Sequence, residues 1–157
     1  MRIAIGSDHA GFQAKERLRD TLHQAGHEIL DKGTSGTESC DYPDFAVLVA
    51  GAVADKTADR GILICGTGIG MAMTANKIDG IRAAVCTDEF TAEMSRKHND
   101  ANVLCLGTRV VACEKIPLLA EIFLRTSFEG GRHERRVRKI DEVGGPQAFL
   151  RKDSDSR

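Results

Sequence analysis

The sequence predicts a single α/β domain of the Rossmann-like, doubly wound type, with a five-stranded parallel sheet and a C-terminal helical extension. Three observations predict it: five short apolar runs, helix-like patterns between most of them, and turns rich in glycine or polar residues after the runs. Parallel strands need long crossover connections, and these are right-handed, so the alternation implies a sheet covered on both faces. A chain of 157 residues matches one compact domain with its own core.

Ile3–Ile5, His27–Leu30, Gly61–Cys65, Ala83–Cys86 and Val103–Leu106 read as the strands. The stretch Gln13–Ala25 carries apolar or small residues at Ala14, Leu18, Thr21, Leu22 and Ala25 and stops at Gly26, as a helix with one buried face should. Asp44–Asp55 and Thr87–Lys97 read the same way. After Val111 comes a helix that holds Pro117 close to its start, where the missing N–H is tolerated. Glu129-Gly130-Gly131 then breaks the chain before a basic helical segment. Residues 1–143 are expected to form the domain, and the polar stretch GGPQAFLRKDSDSR, 144–157, a mobile tail.

Lysine and arginine total 22 against 23 aspartates and glutamates, so no general field draws the chain to nucleic acid or to an anionic membrane. No apolar stretch approaches the roughly 20 residues of a membrane span. The five cysteines are odd in number and form no CxxC pair, and MRIAIGSDHAGF lacks the apolar run of a secretion signal. A reducing cytoplasm is the expected compartment.

In doubly wound sheets ligands bind at the carboxyl ends of the strands, near the point where strand order reverses. Ser7-Asp8-His9, Cys65 to Gly70 and Gly107-Thr108-Arg109 follow the first, third and fifth strands. The loop CGTGIG can cradle a phosphate, a carboxylate or an oxyanion through its amides, or can simply be a tight strand-to-helix turn. It lacks the Gly-Lys-Ser/Thr of a Walker loop. It also misses the dinucleotide fingerprint, because Gly70 arrives one residue early and Met71 takes the proper place, although Asp88 lies near the distance expected of the acidic partner.

Cys65 at the lip of this loop differs from a buried structural cysteine by its position, since a thiol facing amides and a helix start has its thiolate stabilised and can act as nucleophile or base. Of the histidines, His9 and His98 have the addresses suited to acid–base work, while His23 and His27 flank a helix-ending glycine and read as surface residues. No cluster reads as a metal site. In the basic run GGRHERRVRK, Arg132 and Arg136 lie four apart on one helical face, a spacing suited to gripping a phosphate; the alternative is a solvated face. The run has no aromatic to stack on bases.

Six motifs occur in order: GSDHAG, DKGT, DYPDFA, ICGTGIGMAMTANK, RKHNDANVLCLGTRVV and EGGRHERRV. Together they resemble the family of ribose and galactose phosphate isomerases over roughly Met1 to Val143. The resemblance implies a cofactor-free aldose–ketose isomerase acting on a sugar phosphate through an enediolate, with Cys65 as the base at carbon 2. It implies that Gly66, Thr67, Gly68, Ile69 and Gly70 surround the enediolate, that His98 and Asp8 assist ring opening, and that Thr67 moves protons near the first two oxygens. It further implies that His9, Arg132 and Arg136 hold the phosphate, that Arg109 and Asn99 support the substrate, and that Tyr42 lines the site. No metal is implied, and a homodimer or homotetramer with the site between subunits is.

Some relatives carry an acidic base in place of the cysteine, one helical step later; Met71 stands there, so Cys65 has no rival. The chain carries the whole residue set, which favours a self-sufficient homo-oligomer acting on ribose 5-phosphate and ribulose 5-phosphate. The alternatives are an isomerase of a six-carbon aldose phosphate, such as allose 6-phosphate or galactose 6-phosphate, and a non-catalytic nucleotide- or phosphate-binding module.

Overall fold

A computed structural model of the protein describes residues 1–143; the expected tail, 144–157, lies outside the described residues. The elements run β1 (Arg2–Ser7), α1 (Phe12–Gln24), β2 (Glu28–Asp31), α2 (Tyr42–Ala54), β3 (Arg60–Cys65), α3 (Ile69–Ala75), β4 (Ala83–Val85), α4 (Glu89–Lys97), β5 (Val103–Gly107), a 3-10 turn at Cys113–Lys115, α5 (Ile116–Arg125) and α6 (Arg132–Glu142). Pro43 and Pro117 each sit in the first turn of a helix, where no intrahelical N–H is lost. Asp88 caps α4: its carboxylate accepts the Thr91 amide at 2.7 Å, which holds it below the usual carboxylate range. The residue that stands at dinucleotide-fingerprint distance thus serves a helix start. Among the described residues, no helix is long and apolar enough to cross a membrane.

All five strands are parallel, in the order β2-β1-β3-β5-β4. The chain builds outward from β1 to β2, then crosses to β3 on the other side, so the order reverses between β1 and β3. Alternate strand residues face opposite layers. Ile3, Ile5, Ile62, Ile64, Leu104 and Leu106 pack against α1, α4 and α5 through Leu18, Leu22, Ala92, Leu119 and Phe123. Ala4, Leu63, Cys65, Val103 and Cys105 pack against α2 and α3 through Ala46, Val49, Ala50, Val53, Met71 and Ala75. Each fully buried large apolar side chain contributes roughly 1.5–3 kcal/mol. Burial on both faces is why the strands read as unbroken apolar runs rather than as alternating ones.

Register decides which residues meet. Ser7 lies opposite Ile64, and Cys65 opposite Gly107, so the chains leaving β1, β3 and β5 emerge side by side.

Candidate active site

Between the last residue of β3 and the start of α3 stand only Gly66, Thr67 and Gly68. Gly68 adopts φ +79°, the left-handed region that a side chain disfavours, and a Cβ there would lie 3.2 Å from the backbone of Cys105 and Leu106. This turn brings the Gly68 amide 3.1 Å from Cys65 Sγ, to which it donates. The sulfur is buried, with Cys65 only 5% exposed. The loop is fastened to the exit of β5: Thr108 N–H donates to the Cys65 carbonyl and Arg109 N–H to the Gly66 carbonyl, both at 2.9 Å. Thr67 is exposed, and its hydroxyl oxygen accepts the Ile69 amide at 3.3 Å. Tyr42, at the start of α2, lays its ring against Gly70 so closely that a Cβ there would come within 2.5 Å of the ring.

Asp8 and His9 flank this loop from the end of β1. Asp8 is buried, and its Oδ1 accepts the amides of Ala10 and Gly11 at 3.0 and 3.1 Å, which fixes the carboxylate at the entry to α1. His9 Nδ1 accepts the Cys40 amide at 3.2 Å, an arrangement that assigns the ring proton to Nε2. On the other flank the Arg109 side chain lies over Gly66, and it makes no ion pair among the described residues. A thiol held by an amide, a fixed carboxylate, an imidazole donor and an arginine therefore converge on one end of the sheet.

His98, Asn99, Arg132 and Arg136 do not join them within one chain. Helix α4 runs antiparallel to the strands, so His98 and Asn99 lie at its far end, before β5 begins. β5 alone spans roughly 16 Å at about 3.3 Å per residue. Glu129 N–H donates to the Lys97 carbonyl at 3.1 Å, which anchors the start of α6 at that same end. There His98 stacks on His133 with ring centroids 4.2 Å apart and planes 6° from parallel. Glu129 Oε2 lies 3.9 Å from Nε2 of both rings. Arg132 Nε is 3.4 Å from His133 Nε2. Arg132 and Arg136 are exposed and make no ion pair among the described residues.

His98, Glu129 and His133 bring three possible metal donors within 4.8 Å of one another, a cluster that the sequence analysis did not see. An imidazole binds a metal in the plane of its ring, and two parallel stacked rings share no such point, so a shared ion would require one ring to turn. Burial, then the neighbouring His98, Arg132 and Arg136, push His133 below its ordinary pKa. His133 and Glu129 are the site-like residues that sequence reasoning missed. Glu129 precedes the helix, and the positive-φ Gly130 and Gly131 separate it from His133, so their spacing alone does not show the contact.

A family model described as Ribose/Galactose Isomerase matches residues 3–140. The chain belongs to this family. It is 47% identical over 142 residues to ribose-5-phosphate isomerase B of Escherichia coli, covering 90% of this chain and 95% of that one. Its fold superimposes on Clostridium thermocellum ribose-5-phosphate isomerase B with TM-score 0.90 and 52% identity, over 91% of this chain and 97% of the other. The Mycoplasma genitalium ribose-5-phosphate isomerase B, with bound ribulose 5-phosphate, gives TM-score 0.88 and 43% identity, over 90% and 95%. The expectation of a five-stranded parallel α/β fold of this family holds.

Proposed function

We propose that the protein interconverts ribose 5-phosphate and ribulose 5-phosphate by proton transfer through an enediolate. The observation that carries this reading is the buried Cys65 sulfur facing the Gly68 amide at the head of a loop flanked by Asp8 and His9. The reaction moves a proton from carbon 2 to carbon 1 and another from the second oxygen to the first. It needs no external electron acceptor, so no cofactor is required. Cys65 as thiolate removes the carbon 2 proton, the thiol exchanges with solvent and delivers a proton to carbon 1, and the loop amides stabilise the negative oxygens that form between the two steps. Thr67 carries the proton between the oxygens. His98 and Asp8 act on the furanose ring before isomerisation, and His9, Arg132 and Arg136 hold the phosphate. Arg109 and Asn99 support the sugar, and Tyr42 closes the side of the loop. The relative described with bound ribulose 5-phosphate supports the choice of sugar.

The working unit on this reading is a homodimer, alone or paired into a tetramer, in which one copy supplies Cys65 and the other His98, Asn99, Arg132 and Arg136. The distance between the two clusters supports it. So does a row of exposed apolar side chains, Val47 and Leu48 on α2 with Ile69 and Met73 on α3, in the layer that bears the loop. Five free thiols, one of them the base, suit a reducing cytoplasm.

The test is ribose 5-phosphate in heavy water with no added metal or cofactor. Ketose carrying carbon-bound deuterium is the expected product. Absence of ketose would overturn the reading, and faster turnover of allose 6-phosphate would reassign the sugar.

A further inference from the structure

Helix α6 is almost entirely exposed and charged; within Arg132–Glu142 only His133 and Val137 are buried. Val137 needs no explanation, since it packs an apolar side chain. His133 is different, because burying an imidazole costs free energy unless its nitrogens and its face are used. Both are used here. The face lies on His98, and Nε2 accepts from Arg132 Nε. That bond leaves Nε2 without a proton and so assigns it to Nδ1.

We infer that His133 is the positioning residue that holds both the ring-opening His98 and the phosphate-holding Arg132, and thereby ties two parts of the site together. The inference rests on the isomerase reading for what His98 and Arg132 do, and on the geometry alone for how they are held. The groups facing His133 are His98 from the end of α4, Glu129 from the preceding loop, and Arg132 and Arg136 on α6. Burial, with Arg132 and Arg136 beside it, holds His133 below its ordinary pKa, so it offers His98 a neutral face. Glu129 Oε2 lies 3.9 Å from both Nε2 atoms. A flat neutral surface fixes the plane of the His98 ring. On Arg132 only Nε is engaged, which directs the remaining guanidinium N–H groups outward as a fork for a phosphate.

Two substitutions separate these effects. His133→Phe keeps a flat face under His98 and removes the acceptor for Arg132. His133→Gln keeps an acceptor and removes the face. For ribose 5-phosphate, the Phe variant should raise KM roughly 10-fold, as loss of an aimed charged hydrogen bond does, with kcat nearly unchanged. The Gln variant should lower kcat roughly 10- to 100-fold, the effect of a misplaced catalytic group, with KM nearly unchanged. Carbon-bound proton exchange of the acyclic ribulose 5-phosphate should fall less in the Gln variant, because it enters without ring opening.

A readout independent of activity accompanies these. In proton NMR of the wild-type protein, the His98 ring protons should be shifted upfield by the stacked ring; His133→Phe should retain the shift and His133→Gln lose it. Parallel losses of kcat and KM in both variants would overturn the inference, leaving His133 as packing. Unshifted His98 protons in the wild type would overturn it as well, even if neither variant folded. Failure of the wild type to produce ketose would instead overturn the isomerase reading, since the NMR result does not depend on turnover.

Discussion

The Gly68 amide points at the Cys65 sulfur from 3.1 Å, and it can do so because Gly68 turns through φ +79°. An alanine at this position would pay about 1–2 kcal/mol for the left-handed backbone and would crowd the backbone of Cys105 and Leu106. Gly68→Ala should therefore lower the melting temperature by several degrees and, by moving the amide, reduce kcat at least roughly 10-fold. Thermal melts and steady-state kinetics check both, and a stable variant with wild-type kcat would show that the amide plays no part.

Cys65→Ala should fold, bind a phosphate-bearing inhibitor and lose about 10²–10⁴ in rate. Alkylation of the thiol should mimic it. Burial pushes Cys86 up to about 11 and Cys105 higher than its ordinary value, so at neutral pH these two stay silent toward the reagent. Cys40 and the exposed Cys113 would respond, and replacing them with serine isolates Cys65. Near-normal deuterium exchange in Cys65→Ala would make this residue a structural cysteine.

Arg136→Ala should raise KM for ribose 5-phosphate, because a charge-assisted bond to phosphate is worth about 1.5–3 kcal/mol. Free ribose offers no phosphate, so its poor turnover should barely change. Equal losses with the two sugars would assign Arg136 to folding or assembly.

Mixing subunits tests the shared site. Cys65→Ala and His98→Asn chains, each impaired alone for the furanose, should regain activity when unfolded and refolded together. In a mixed dimer one site has both defects and the other has neither, so random pairing restores roughly a quarter of the sites. No recovery, with mixed dimers confirmed by native mass spectrometry, would put the complete site within one chain.

His133 also predicts a pH dependence. Its folded pKa lies below the ordinary 6.5, chiefly through burial, so the unfolded chain takes the proton first as the pH falls. Its contribution is fully present above 6.5 and is lost as the pH drops from 6.5 toward the lower folded value. The melting temperature should decline on acidification through this window, less steeply in His133→Gln. Identical slopes in the two proteins would place the titration elsewhere.

The strands were legible because a sheet buried on both faces leaves continuous apolar runs, as Gly61–Cys65 and Val103–Leu106 do. Element ends moved by one or two residues, in two helices where caps decide them: Asp88 starts α4 two residues later than Thr87, and Pro43 lets α2 begin at Tyr42. The glycine loop, Cys65 and the arginine pair announced themselves by residue type and spacing, which are local properties. The stack of His98 on His133 joins residues 35 positions apart across two helix ends, and no local pattern encodes such a contact.

By itself, then, the sequence determined the fold class, the loop that presents a thiol to amides, and the two arginines one helical turn apart, because each depends on neighbours along the chain. The strand order also put Asp8, His9, Cys65 and Arg109 at the carboxyl ends of their strands; only the tertiary structure decided that His98, Arg132 and Arg136 gather at the other end. Parallel strands send every β-to-α turn to the same edge, and a returning helix carries its C-terminus to the opposite edge.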